Sequence, residues 1–545
     1  MFRIAPRECL IFLALFSITM LSTIIAHPAY CAEQASATEQ SRNGSLNIIA
    51  PLEEDFMATG TVMNVFGYKI EVSKTTRFEN ITTLIDNKYL FKKGTWVKIR
   101  AHRQADGTFV ARKVRRIERR PLYIVIQEDE LDPEIFTKEK GSPRQPLKTF
   151  MEDESKAVAF SIKPHDSIWF GGNYEISAQA DKERDLNKKK QKDKSSAFTE
   201  LRFDMIWRLS ENGSFVLLEP AFNYVQEHVK QRDTITRSSQ RLSRAYGFIT
   251  LSDAFALNIG RQDFDEEREW IYDETLDGIR FYFYHDQLQM ELSVSQGRDV
   301  LDEDNSTTGI KNTIADIRYF TDKKSFLGAW YVNRKDTTER DFNPTLYGIR
   351  SIANPSKGFR HWLDLAYAEG NAGSQTIKGY AVDMGLGYIS KRKPRKYITF
   401  ALAYASGPKN NAGNALFRQT GLHDNSDKFG GITSFKYYGE VVSPELSNLA
   451  IATIAIGTRP HANFSIDLAY HAYQQGEKST ELTDSRLKAD PNGKSTDIGT
   501  ALDLVLGYRH NKFSMDLILG RFEPGNAFDE QIASHIGELK LKYTF

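Results

Sequence analysis

The chain has 545 residues, a near-zero net charge of +1 from 72 basic and 71 acidic side chains, and a mean hydropathy of −0.47, figures that on their own describe an ordinary soluble protein. Two features stand against that: aromatics reach 12%, with 24 Tyr and 34 Phe, and the only cysteines, Cys9 and Cys31, both lie in the first 32 residues. Removal of that segment leaves no cysteine, which excludes disulfides and thiol chemistry from the rest of the chain.

Residues 1–32 read as a secretory signal peptide: Arg3 and Arg7 precede an apolar run from Cys9 to Ala26, and Ala29-Tyr30-Cys31-Ala32 supplies a small-residue cleavage site. The run is long enough to serve as an uncleaved anchor, but Ser17, Thr19, Ser22 and Thr23 dilute it, and bulky Tyr30 disfavours lipidation of Cys31. Export from the cytoplasm argues against a nucleic-acid partner.

A polar linker from Glu33 to about Leu52 leads to residues 55–127, where "ATGTVMNVF", "YKIEVSKTTRF", "TWVKIRAHRQ" and "TFVARKVRRIE" read as strands between Gly-bearing turns. The spacing predicts a small OB-like β domain. Its basic cluster (Lys98, Arg100, Arg103, Arg112, Lys113, Arg115, Arg116, Arg119, Arg120) is either a solvated face or a surface for a polyanion. An acidic, proline-bearing connector occupies 128–159.

From residue 160 to 545 the pattern is uniform: ten-residue segments alternate apolar and polar side chains. In "TELRFDMIWRL" Leu201, Phe203, Met205, Trp207 and Leu209 share one face, and Arg202, Asp204 and Arg208 share the other. The split recurs in "GYAVDMGLGYIS", "YITFALAYASG", "FSIDLAYHAY", "TALDLVLGYRH" and the final "GELKLKYTF", with aromatics such as Tyr388, Tyr404, Tyr470 and Tyr508 on the apolar faces. Only every second residue needs to meet lipid in a transmembrane β-barrel, which reconciles a polar average with a membrane location and places the aromatics in an interfacial girdle.

The connections point the same way. From Trp169 onward, tight turns ("SENGS", "LSDA", "YHDQ", "TDKKS", "NPSKG", "KRKPRK", "TRPHAN", "RHNK") alternate with long polar loops, as in bacterial outer-membrane barrels. Nineteen candidate strands reduce to 18 when "FKYYGEVV" (Phe435 to Val442), which breaks the rhythm, is assigned to one long loop from about Gly407 to Asn448. An even count brings both ends of the barrel segment to the periplasmic side and predicts an all-β chain: an 18-stranded antiparallel transmembrane barrel preceded by a small periplasmic β domain. A terminal strand that alternates to its last residue can close the wall against the first strand, leaving no backbone group unpaired in lipid. A large soluble sandwich or propeller also buries one face but leaves the loop rhythm unexplained.

An 18-stranded barrel leaves an aqueous channel whose inward side chains govern passage. Strand phase turns Arg202, Arg208, Arg280, Arg318, Arg350, Arg509, Lys540 and Lys542 inward, with Asp204, Asp316, Asp364, Asp383, Asp467, Asp503 and Asp516. Such a mixture serves either as cross-strand ion pairs stiffening a wet wall or as arginines that grip an anion bidentately. His471, inward in "DLAYHAY", reads as a hydrogen-bonded wall residue.

Two blocks, "IGRQDFDEEREWIYDETLDGIRFYFY" (Ile259 to Tyr284) and "FRQTGLHDNSDKFGG…YYGEVVSPELSNLAIATIAIGTRPHANFSIDLAYHAY" (Phe417 to Tyr473), resemble the alginate export family of outer-membrane porins, a likeness covering about 160–545. It implies an 18-stranded barrel exporting a polyuronate through an arginine-lined pore partly closed by inward-folded loops. Carried across, the substrate-binding residues are Arg261, Arg280, Arg418 and Gln419, joined by inward Arg202, Arg318, Arg350 and Arg509. Arg261 departs from the pattern, because Phe255, Leu257 and Ile259 make its phase outward unless the strand bulges. The N-terminal domain has no counterpart in the family's barrel and leaves the polymer undefined.

The partners so implied are an anionic polysaccharide, outer-membrane lipids and periplasmic secretion components, with no cofactor, metal or nucleic acid. A general anion or small-solute porin remains an alternative. A barrel enzyme is a weaker one, since no G-x-S-x-G elbow, H-E-x-x-H motif or histidine cluster occurs among the 11 His.

Overall fold

The computed structural model describes residues 45–128, except 58–59, 66–67, 80–90, 94, 104–107 and 117–124, and residues 162–545, except 166, 188–191, 211–213, 231–233, 253, 298–308, 323–324, 355–357, 391, 393, 409–414 and 511. The signal peptide, nearly all of the 128–159 connector, Arg119 and Arg120 lie outside them. The chain divides into two compact units between Leu131 and Asp132.

In the first unit six strands form one sheet in the order Val62–Val65, Tyr68–Glu79, Phe109–Arg116, Trp96–Arg103, Ser45–Pro51, Val125–Glu128. Tyr68–Glu79 and Phe109–Arg116 run parallel, the other neighbours antiparallel. A bridge between Leu52 and Val65 brings the ends of the first five strands together, giving a partly open Greek-key barrel. Ser45–Pro51 corrects the linker reading. Leu46 and Ile48 alternate inward there and are fully buried with Met63, Val65, Ile70, Val97, Ile99 and Val114.

The second unit is a closed antiparallel barrel of 18 strands. It begins at Ile168–Lys182 and ends at Ser534–Thr544, which pair in register from Asn173 with Thr544 to Lys182 with His535. Phe545 extends the seam through backbone bonds in both directions with Gly172, of 2.9 and 3.2 Å. A Cβ on Gly172 would lie 2.6 Å from the Phe545 ring, so only glycine leaves room for it. A short arm, Ile162–His165, folds back on the first strand.

Alternation along each strand produces the two-faced wall. Phe203 and Trp207 are exposed on the outside, while Glu200 and Asp204, at even positions of the same strand, are buried inside. Outward aromatics include Tyr174, Tyr319, Tyr347, Phe359, Tyr388, Tyr470 and Tyr543.

Connections at one end are uniformly short: 209–214, 251–254, 286–287, 323–324, 354–357, 390–394, 462–463 and 511–512. At the other end they reach their greatest length at 406–448 and 476–496, but 230–234, 337–341 and 373–374 are short there too. The long-short alternation is thus less strict than the sequence suggests, because strands such as Gly358–Ala372 and Gln375–Ile389 run on past the loop residues and meet in a two-residue turn. "FKYYGEVV" contributes no barrel strand; Phe435–Lys436 pairs only with Ser426–Asp427.

Candidate functional site

The segment 406–448 does not stand outside the barrel. Its contacts are with inward wall residues, and they run the height of the lumen. The Lys378 amide donates to the Leu416 carbonyl (3.0 Å) near the long-loop end, Tyr438 donates to Asp383 at mid-strand (2.6 Å), and the Glu440 amide donates to Asp503 (3.0 Å). At its far tip the Ile432 amide donates to Ser465 (3.0 Å) and Thr433 to Asp516, beside the turns 462–463 and 511–512. Gly430, at φ +143°, lies flat on the Tyr397 ring, 2.6 Å from where a Cβ would sit. No L side chain fits there without lifting the tip.

Apolar side chains fill the space between this plug and the wall. Trp270 stacks on Phe417 and meets Trp330 edge-on, and Phe429 stacks on Trp362. Phe435, Tyr437, Tyr438, Val441, Val442 and Leu446 are buried with them. The lumen is thus partly closed by an inward-folded loop, which fills one sector with a packed core.

Most of the singled-out arginines bind this architecture together. Arg350, 1% exposed, pairs with Asp364 at 2.5 Å and with Glu266 of the 266–272 loop. Arg318 bridges Asp316 and Glu267 at 2.5 and 2.7 Å. Arg280 grips Glu291 bidentately at 2.8 and 2.9 Å over the Phe264 ring, and Arg509 holds Asp516 at 2.7 and 3.1 Å. Arg418 is bidentate to Glu445 at 2.8 and 2.9 Å, tying the two legs of the plug. Gln419 donates to the Trp270 carbonyl and receives the Leu446 amide. His471 lies between Thr453 and Asp503, fully buried, as a wall residue.

Arg261 needs a different correction. Register places it opposite Asp277, 3.6 Å away, on the face shared by exposed Ile259 and Ile279, so it is not lumenal. The positive φ of Gly260 does not turn the strand over.

Arg268, which the sequence reading passed over, is the central clamp. Its guanidinium lies between the Trp362 and Tyr437 rings, 4.0 and 4.2 Å from their centroids, and pairs with Asp383 (3.3 Å) on the wall and Asp427 (3.1 Å) on the plug. Within a run of charges, "DEEREW", nothing local distinguishes it.

The plug's contacts fall on strands from Phe255–Asp265 round to Phe513–Pro524. Among the described residues they leave uncovered the lumenal face of Ile168–Lys182, Lys194–Arg208, Phe215–Val229 and Ile235–Thr250 and the Lys540–Lys542 end of Ser534–Thr544, whose Ile536 packs into the plug's core. Arg244 on this sector is buried and bidentate to buried Glu219, but four other basic groups there are more exposed. Arg241, 43% exposed, reaches Glu200 (2.6 Å); Lys540, 42% exposed, stands 3.8 Å from Glu175; Arg202 lies 3.2 Å from Asp204; and half-buried Lys542 stands opposite Glu175 in register. Arg241 was missed because the pairing skips Ser243 between Pro220–Leu242 and Glu219–Arg244; the bulge reverses the phase beyond it.

One carboxylate trio, Glu269, Asp273 and Asp424, has oxygens within 4.8 Å of one another, but each is already engaged, Asp424 with Lys436. A cavity of about 150 Å³ lies between the wall and Gly421, lined by Glu274, Asn312, Arg334 and Arg340.

Comparison with known families now bears on this geometry. Residues 166–540 match the family described as Alginate export. The chain belongs to that family. It is thus an outer-membrane β-barrel, and residues 55–115 match a second family, a domain of unknown function (DUF5666). Alginate export relatives include the alginate production protein AlgE of Pseudomonas aeruginosa, 28% identical over 134 residues (24% of this chain, 27% of that one). AlgE of Azotobacter vinelandii is 28% identical over 141 residues (24% and 28%). The matched region thus spans about a quarter of these relatives. Solved structures of similar shape include OccAB4 of Acinetobacter baumannii (11% identity, 70% of this chain and 100% of that one, TM-score 0.46) and OccK2 of Pseudomonas aeruginosa (11%, 69% and 97%, 0.45).

Proposed function

We propose that the barrel exports an anionic exopolysaccharide, an alginate-like polyuronate, by facilitated diffusion along the lumenal sector that the plug leaves uncovered. The observation that carries this reading is the contrast between two classes of lumenal cation. Arg244, Arg280, Arg318, Arg350 and Arg509 are buried against their own carboxylates, whereas Arg202, Arg241, Lys540 and Lys542 are partly exposed. In these pairs the cation is the accessible partner while Glu200 and Asp204 are buried, so a passing carboxylate can share the cation with the resident acid. A file of such shared contacts moves a chain without trapping it. The reaction is transport; no bond of the polymer is made or broken.

Both ends of the barrel segment lie at the short-turn end, which faces the periplasm in bacterial barrels, and this supports a periplasmic N-terminal unit. In planar bilayers, polyuronate added to the short-turn side is expected to produce transient blocks that a neutral dextran of equal length does not. The triple variant Arg241→Gln, Lys540→Gln, Lys542→Gln is expected to lower anion-over-cation preference and shorten the blocks. Unchanged preference and block duration would rule out the sector as the path. Conductance with no block by polymer at all would make the protein a small-solute porin.

A further inference from the structure

The N-terminal sheet carries a charge pattern that its own folding does not require. In Trp96–Arg103, Val97 and Ile99 turn into the core, so Lys98 and Arg100 turn out. In Phe109–Arg116, Val114 turns in, so Lys113 and Arg115 turn out. Register sets Lys98 directly opposite Arg115 and Arg100 directly opposite Lys113, and the parallel neighbour adds Arg77 beside Lys113. The bulge between Arg100 and Ala101 inserts a further exposed cation, Arg112.

Like charges directly opposite on a sheet are destabilising, and here two such pairs adjoin. Counter-ions from the fold relieve them only in part, at Lys113. Among the described residues, Arg77, Lys98, Arg100 and Arg115 form no hydrogen bond or ion pair, and the only acid in register on this patch is Glu79, opposite Arg115. With strands about 4.8 Å apart and same-face residues about 6.6 Å apart, the cations form a lattice across three strands.

We propose that this face binds the anionic polysaccharide itself, as a capture surface separate from the lumen. The inference rests on the substrate class of the preceding section. A polyuronate fits because it carries one carboxylate on every ring, repeats at a comparable pitch, and supplies in a row the counter-charges that the fold omits. The contacts are exposed, so the binding is salt-sensitive and readily reversed, as a donor surface for a channel needs.

The test uses the full chain in detergent and a fluorescent oligouronate of defined length, read by anisotropy. The variant Arg77→Gln, Lys98→Gln, Arg100→Gln, Arg115→Gln is expected to bind at least about tenfold more weakly. Its polymer-free conductance should be unchanged. Thermal stability of the N-terminal unit should be equal or higher, because like-charge repulsion has been removed; a merely structural role for these residues would lower it. Unchanged affinity in the variant overturns the proposal. So does binding to anionic phospholipid vesicles that oligouronate does not displace. If mutation-sensitive binding persists while polymer fails to block the pore, the transport reading falls and this one stands; if oligouronate neither binds nor blocks, both fall.

Discussion

A guanidinium that matches a substrate carboxylate in two parallel hydrogen bonds matches a protein carboxylate equally well, and in this lumen most of that capacity is spent on the protein. Arg350 is the extreme case, with Asp364 on one side and Glu266 on the other, all three nearly inaccessible. Arg350→Gln leaves two buried carboxylates facing one another and is expected to cost roughly 3–5 kcal/mol, seen as a lowered heat-unfolding midpoint in detergent. Adding Glu266→Gln should recover part of that loss. The inward phase of Arg280, Arg318, Arg350 and Arg509 was legible from alternation alone. Their partners were not, because Glu266 and Glu267 come from a loop 84 and 51 residues away in sequence, and folding of a loop into a lumen has no period to read. Arg241 escaped for a different reason, a one-residue bulge that inverts every phase beyond it.

The plug is the element on which gating would depend, and its seating is coupled to protonation. Glu440 lies buried on the plug, where loss of hydration pushes its carboxyl up to about 7; Asp503 and Glu538 oppose its charge, while Arg486 at 4.0 Å and the Lys436 amide only partly offset the burial. A carboxyl raised in the docked state favours docking while protonated. That contribution is fully present below the ordinary glutamate range and is lost as pH rises through about 7. Hydrogen exchange of the 416–446 amides is therefore expected to speed up between pH 6 and pH 8 beyond the intrinsic chemical rate. Glu440→Gln should flatten that excess, and an unaltered profile in the variant would assign the pH dependence elsewhere. The resemblance to the export family foretold loops folded inward; that one loop would traverse the whole height and bring its own apolar core was not visible in "FKYYGEVV", whose alternation imitates a strand.

At the scale of the molecule the strand count, the antiparallel order and the two-faced wall followed directly from period-two alternation, since lipid outside and water or protein inside impose the same rule on every strand. The start of the N-terminal sheet did not follow, because "SLNIIAP" sits in polar surroundings that read as linker. Closure concentrates at Gly172, where any larger side chain meets the Phe545 ring and the Arg202 carbonyl. Gly172→Leu is expected to lower the heat resistance of the folded barrel, read as loss of the compact band in unheated gels, without altering the N-terminal unit.

The two strands that meet at this seam, 168–182 and 534–544, are separated by nearly the whole second unit. A ribosome therefore finishes the latching edge long after the edge it must find, and until then any ribbon of these strands has two raw borders. Such a ribbon has to be escorted, unfurled, to the lipid that completes it.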